Sequence, residues 1–331
     1  MTALAQAERT TDFAVLTQRI RAAGLLDRRP WYYTVRLTLV FALYAAAWTG
    51  LALTHSLWFG VLLGVAFAQV ALVAHDLAHK QIFRGRRLSE GLGMVAGNLM
   101  MGMSYGWWMN KHTRHHANPN HEDHDPDVAP DIIVWSTRQA EQAKGPARLI
   151  GGHQALLFFP LLLLEGFNLH VSSLRALPTV KRRGLESVLL WGHVVGYLAA
   201  VFLILPPLPA IGFILIHQCV FGLYLGMTFA PNHKGMPMLT AADELDFLRK
   251  QVLTSRNVRG GRWLDAALGG LNLQIEHHLF PSMPAPNLRK AQPIVEQYCA
   301  EIGVPYRSAT LVGSYVQALR HLHEAGAPLR R

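Results

Sequence analysis

The chain has 331 residues, 51% hydrophobic and 16% charged, with a formal net charge of +10. A soluble domain usually carries about 25% charged residues, so an ordinary water-soluble globule is disfavoured. Only two cysteines are present and neither adjoins a histidine group, which argues against an iron–sulfur cluster or a thiolate zinc site.

The first 30 residues lack the apolar core of a cleavable signal peptide. Phe13, Leu16 and Ile20 recur at helical spacing and predict a short amphipathic helix lying on the membrane surface. Trp31, Tyr32 and Tyr33 suit an aromatic belt where the chain enters the bilayer. No charged residue occurs over 37–75, a stretch long enough for two spans of about 20 residues or slightly fewer. It breaks at Thr54-His55-Ser56, which predicts a helical hairpin of 34–54 with 57–78. A second charge-free stretch, 187–233, breaks at Pro206-Pro207-Leu208-Pro209 and predicts a hairpin of 187–205 with 210–230.

Two shorter apolar segments, 91–109 and 155–164, are marginal in length, and Pro160 and Glu165 interrupt the second. They are expected at the interface or re-entrant, not crossing. Arginine and lysine flank both hairpins on their open sides and are absent from both tips, which places both termini in the cytoplasm. The expected fold is an all-α integral membrane protein, with four transmembrane helices in two hairpins and a cytoplasmic helical cap. It forms one domain over 1–331: an amphipathic segment at 1–30, a hairpin at 34–78, a cytoplasmic region at 79–186, a hairpin at 187–230 and a cytoplasmic region at 231–331. Cys219 and Cys299 fall in a span and in the cytoplasmic region, so they are not expected to pair.

Eight of the seventeen histidines form four groups at the cytoplasmic ends of these segments. His75 and His79 are four apart and share one helical face. His112, His115 and His116 are spaced i, i+3, i+4, again on one face. Gln274, His277 and His278 repeat that spacing with glutamine in the first slot, and His233 ends the second hairpin. Neutral imidazole is the commonest metal ligand near neutral pH and suits iron, zinc, copper and nickel. Eight are too many for one metal and enough for two. A site of this kind beside an apolar body fits oxidative attack on a saturated C–H bond, which offers no handle for acid–base or nucleophilic chemistry.

At HDLAH (75–79), HTRHH (112–116) and QIEHH (274–278) the chain resembles the membrane fatty acid desaturases. The glutamine opening the third motif resembles the front-end acyl desaturase group. HHANPN at 115–120, DPD at 125–127, PNH at 231–233 and EHHLFPSMP at 276–284 extend the resemblance to 30–310. It implies a non-haem di-iron centre with O2 as co-substrate, held by His75, His79, His112, His115, His116, His233, His277 and His278. Gln274 would bind metal weakly, bind through water, or only shape the pocket. Asn232 would make a water-mediated contact, and Asp76 and Glu276 would accept from imidazole N–H groups.

His121 and His124 lie in a polar turn and are left outside the ligand set, with Asp125 and Asp127 fastening that loop. His153, His170, His193 and His217 are expected to be packing or pocket residues. No His-Pro-Gly-Gly haem motif occurs, so electrons are expected from a separate donor such as ferredoxin or cytochrome b5 with an NAD(P)H reductase. The basic balance suits membrane lipid head groups, an acidic carrier and, weakly, an acyl-CoA substrate, and nucleic acid is not an expected partner. A histidine-motif lipid hydroxylase or ketolase remains the alternative enzyme. A membrane metal transporter or sensor is the alternative of another class.

Overall fold

The computed structural model describes residues 3–330. In chain order its helices are α1 (Ala3–Ala22), α2 (Pro30–Thr54), α3 (Trp58–Ala78), α4 (Arg86–Met94), α5 (Tyr105–Ala117), α6 (Thr137–Gln142) and α7 (Gly145–Gly151). There follow α8 (Gln154–Ala176), α9 (Arg183–Ile204), α10 (Pro207–His233), α11 (Phe247–Leu253), α12 (Arg262–Ala267), α13 (Gln274–Leu279), α14 (Ala285–Glu301) and α15 (Leu311–Ala325). Two short strands, β1 (Asn257–Arg259) and β2 (Ser308–Thr310), pair in parallel with Val258 opposite Ala309.

The chain divides into two compact units. One comprises Arg29–Asn110 and Phe159–Met227, and the other comprises Met1–Arg28, Lys111–Phe158 and Thr228–Arg331. They are called here the helical-hairpin unit and the histidine unit.

In the helical-hairpin unit, α2 and α3 turn at His55, whose left-handed backbone (φ 56°) lets its N–H bond Leu51 O at 2.8 Å. The break predicted at that residue is therefore the hairpin tip. α3 is apolar on every side and is the most enclosed of the long helices, as an all-round apolar helix should be. α2 and α9 instead turn large side chains outward, with Leu53 77% and Leu203 87% exposed. Such bare apolar area suits lipid and not water.

Five helices among the described residues are long and apolar enough to cross a membrane, one more than the four expected. The fifth is α8, which runs unbroken through Pro160 and Glu165. Proline in the second turn deprives that helix of one backbone bond and does not end it. α8 lies against α10 where glycines meet: a Cβ on Gly222 would stand 2.4 Å from Gly166 N and 2.6 Å from Leu162 O. The 91–109 segment is broken into α4, a π-helical turn (Val95–Met100) and the start of α5, none long enough to span alone.

That broken segment is fastened to α9 by one buried carboxylate. Glu186 Oε2 accepts from Ser104 Oγ at 2.7 Å, Asn98 Nδ2 at 3.1 Å and Gly106 N at 3.1 Å. Ser104 Oγ in turn accepts from Trp107 N at 3.3 Å, so the network caps the first turn of α5. His170, His193 and His217 are hydrogen-bonded packing residues here, with partners Gly102 O, Leu99 O and the Tyr197 hydroxyl.

The histidine unit has its own apolar core. Leu16 and Ile20 of α1 are buried against Leu248 and Val252 of α11, Ile275 and Leu279 of α13, and Leu288 and Val295 of α14. The apolar face of α1 is therefore covered by protein, where the sequence suggested a membrane surface. Periodicity reveals that a face is buried but not what covers it. His153, expected among apolar neighbours, is exposed at the turn before α8. Cys219 and Cys299 are both free, as expected.

Candidate metal centre

Six of the eight candidate ligands fall in the histidine unit. Helical spacing turns His112, His115 and His116 to one side of α5, while His233 ends α10 and His277 and His278 lie on α13. Their ring nitrogens gather into two sets. His115, His233 and His278 each bring one nitrogen within 4.8 Å of the others, and so do His112, His116 and His277.

The first set is anchored from behind. His233 Nδ1 donates to Thr254 O at 3.0 Å, and His278 Nδ1 donates to Gln251 Oε1 at 2.8 Å. Gln251 cannot be turned over, because its own Nε2 donates to His116 O at 3.0 Å. His115 Nδ1 donates to the Asp125 carboxylate, at 3.0 Å from Oδ2 and 3.1 Å from Oδ1. Each ring thus carries its proton on Nδ1 and directs a lone pair outward from Nε2.

His233 Nε2 and His278 Nε2 lie 3.1 Å apart. Two lone pairs that close repel unless a cation lies between them. Burial and the neighbouring His116 and His233 hold His278 well below the usual imidazole range, so a proton is a poor candidate for that cation. A metal ion fits.

In the second set, His116 Nε2 lies 3.1 Å from His112 Nε2 and 3.2 Å from His277 Nε2. The rings of His116 and His278 stack with centroids 4.2 Å apart, which sets the two groups side by side.

Electrostatics favour a cation. Burial disfavours charge on His115, but Asp127 and Asp125 outweigh it and raise its pKa. Burial likewise opposes ionisation of Asp127, yet Lys111, His115 and Lys234 hold it well below the usual carboxylate range. Asp125 also accepts from Asn120 N at 2.8 Å, so one carboxylate both fastens the loop and holds a ring.

His75 and His79 belong to the helical-hairpin unit, where they share one face at the end of α3 with ring centroids 4.7 Å apart. Asp76 lies 3.5 Å from His75 Nδ1 and is bound by the buried Arg36 at 2.9 Å. The carboxylate of Glu276 accepts from Tyr306 at 2.7 Å and Asn257 at 2.7 Å, and burial pushes its pKa up to about 7. Gln274 Nε2 sits 3.0 Å from His233 Nε2, and its Oε1 accepts from Asn232 at 3.2 Å. His121 and His124 stack on each other at 4.3 Å and join neither set.

Gln251, Thr254 and Arg256 escaped the sequence reading. Arg256 is buried and donates to Pro231 O at 2.6 and 2.9 Å and to Lys234 O at 2.7 Å, closing the end of α10 beside His233. No spacing rule links any of the three to a histidine motif.

A sequence profile of the family described as fatty acid desaturase matches residues 52–310, which include all eight histidines. The chain belongs to the fatty acid desaturase family. It is 31% identical to an acyl-lipid (9-3)-desaturase of Physcomitrium patens over 95% of its length, and spans 62% of that relative. It is 30% identical to fatty acid desaturase 3 of Bos taurus (95% of this chain, 73% of the relative). A Delta(5) fatty acid desaturase of Caenorhabditis elegans is 29% identical (89% and 69%). The histidine sets of this chain suit iron, and its apolar helices suit a membrane protein.

Proposed function

We propose that the chain converts a saturated or monoenoic long-chain fatty acyl substrate to one with an added double bond, using O2 and two electrons. The balance is one C–C bond oxidised, two hydrogens removed, and O2 reduced by those hydrogens, two electrons and two protons to two waters. The observation that carries this reading is the set of three Nδ1-anchored imidazoles with converging Nε2 lone pairs in a desaturase-family chain.

On this reading two irons are held by His75, His79, His112, His115, His116, His233, His277 and His278. A pair of irons supplies the one-electron chemistry that an unactivated C–H bond requires. Thr254, Gln251 and Asp125 keep three ring protons away from the metal, so those rings bind without reorganising. Asn232 acts on the centre through Gln274. Asp76 holds Arg36 beside the first motif, and Glu276 ties the third motif to Tyr306 and Asn257.

The proposed topology has α2, α3, α9 and α10 crossing, with both termini and all eight candidate ligand histidines on the cytoplasmic side and His55 at the opposite face. The rings of His115 and His233 stand 4.7 Å apart, which requires an even number of crossings between them. Of α8, α9 and α10, the helix that stays on one side is α8, which carries Glu165 within its apolar run and would bear the largest cost of crossing. Electrons come from outside these 331 residues, which hold two cysteines and no His-Pro-Gly-Gly motif. The net charge of +10 favours an acidic donor and an acyl-CoA substrate.

Gas chromatography–mass spectrometry of host fatty acids, with and without expression, tests the reaction, and derivatisation locates the new double bond. A product lighter by two hydrogens is expected. A product heavier by one oxygen atom would point to hydroxylation instead.

A further inference from the structure

The side-chain amide of Gln274 has only one orientation compatible with its surroundings. Asn232 is fully buried, and its Nδ2 donates to two backbone carbonyls, Thr228 O at 3.0 Å and Leu271 O at 3.1 Å. Turning Asn232 over would aim its oxygen at two oxygens that cannot donate. Its two protons face those carbonyls, and the third neighbour, Gln274 Oε1 at 3.2 Å, shares one of them, whereas an N–H group at that place would meet the same protons head on.

The other end of the amide agrees independently. His233 has committed its ring proton to Thr254 O, so its Nε2 carries a lone pair. The atom of Gln274 facing it at 3.0 Å must be a donor, and it is Nε2. Two buried chains of hydrogen bonds, one from α10 backbone and one from Thr254, thus impose the same orientation. The motif slot offers the centre an N–H, with its carbonyl oxygen already taken.

We propose that Gln274 serves the metal centre as a hydrogen-bond donor through Nε2, oriented by Asn232, and does not coordinate through Oε1. A metal held on His233 Nε2 would engage that lone pair in place of the amide N–H, which would then be directed to a small oxygen-donor molecule such as water. Asn232 is the positioning residue. This inference rests on reading the imidazole sets as an iron site.

The test compares the purified, iron-loaded full chain with Gln274→Leu and Gln274→Glu. The readouts are iron per chain and the coordination number from iron K-edge absorption fine structure. Leucine removes donor and carbonyl together. Glutamate keeps an oxygen opposite Asn232 and puts a second oxygen where Nε2 stood. Unchanged iron and coordination in Gln274→Leu, with an added oxygen ligand in Gln274→Glu, is the expected pattern. The reverse pattern, a ligand or iron lost in Gln274→Leu and a wild-type spectrum in Gln274→Glu, overturns it. Should the glutamate variant not fold, Gln274→Leu decides alone, with its thermal midpoint measured alongside. Unsubstituted chain that binds no iron would overturn the metal-centre reading itself, whereas iron kept by wild type and lost from Gln274→Leu overturns only the role of the amide.

Discussion

Gln251 does for His278 what Asp125 does for His115 and the Thr254 carbonyl does for His233: each holds one ring proton in place. Removing such a partner typically costs about 10–100-fold in metal affinity. Gln251→Leu should weaken iron binding by about that factor in a competition titration with a chelator. His121→Ala, in the stacked pair that joins neither set, should leave it as in wild type. Equal affinities for Gln251→Leu and wild type would mean that the tautomer is set elsewhere.

The histidines were legible because helical spacing is local: one turn of α-helix brings i, i+3 and i+4 to one face whatever the rest of the chain does. Their partners were not. Gln251 lies 27 residues from His278, Thr254 lies 21 from His233 and Asp125 lies 10 from His115, distances that no helical period spans. Asp125 was recognised only as a loop fastener. A carboxylate near a motif reads as a candidate partner, as Asp76 and Glu276 did, yet Glu276 turns to Tyr306 and Asn257.

At the scale of elements, His233 depends on where α10 stops. Arg256 closes that end with charged hydrogen bonds to Pro231 O and Lys234 O. Arg256→Met strips those carbonyls of their donor within the core and should cost about 3 kcal/mol of stability. The expected sign is a lower thermal midpoint in detergent together with lower iron content; an unchanged midpoint would show that water replaces the guanidinium there. α8 depends on α10 differently, through contact of small residues. Gly222→Leu has no room against Gly166 and Leu162 O and should cost about 1–3 kcal/mol through overpacking. Gly184→Leu, whose Cβ meets nothing within 4 Å, is the matched control.

Hairpin ends were readable to within a few residues, since charge-free runs and prolines mark them chemically. α8 was shortened in the reading because proline and glutamate usually end a segment. One lost backbone bond near a helix start is tolerated when the remaining turns are intact. α1 was assigned the right face and the wrong cover.

For the whole molecule the decisive quantity is parity. Reporter fusions after Arg87, Gly145, Leu208 and Arg331 should read outside only at Leu208. An outside signal at Gly145 would separate the histidine groups across the bilayer and would sink the four-crossing topology. An outside signal at Arg331 alone would require a further crossing after α10, although none of the described helices from α11 onward is long and apolar enough to make one.

α8 has a mechanical consequence for the bilayer. It turns Leu163, Leu164 and Val171 outward, yet on the proposed topology it stays on one side. A helix embedded in a single leaflet adds cross-sectional area to that leaflet and none to the other. The molecule then acts as a wedge, and its insertion relieves packing stress where the cytoplasmic leaflet is stretched. Its partition should therefore rise with membrane curvature, favouring small vesicles over large ones of the same lipid, as interfacial helices do.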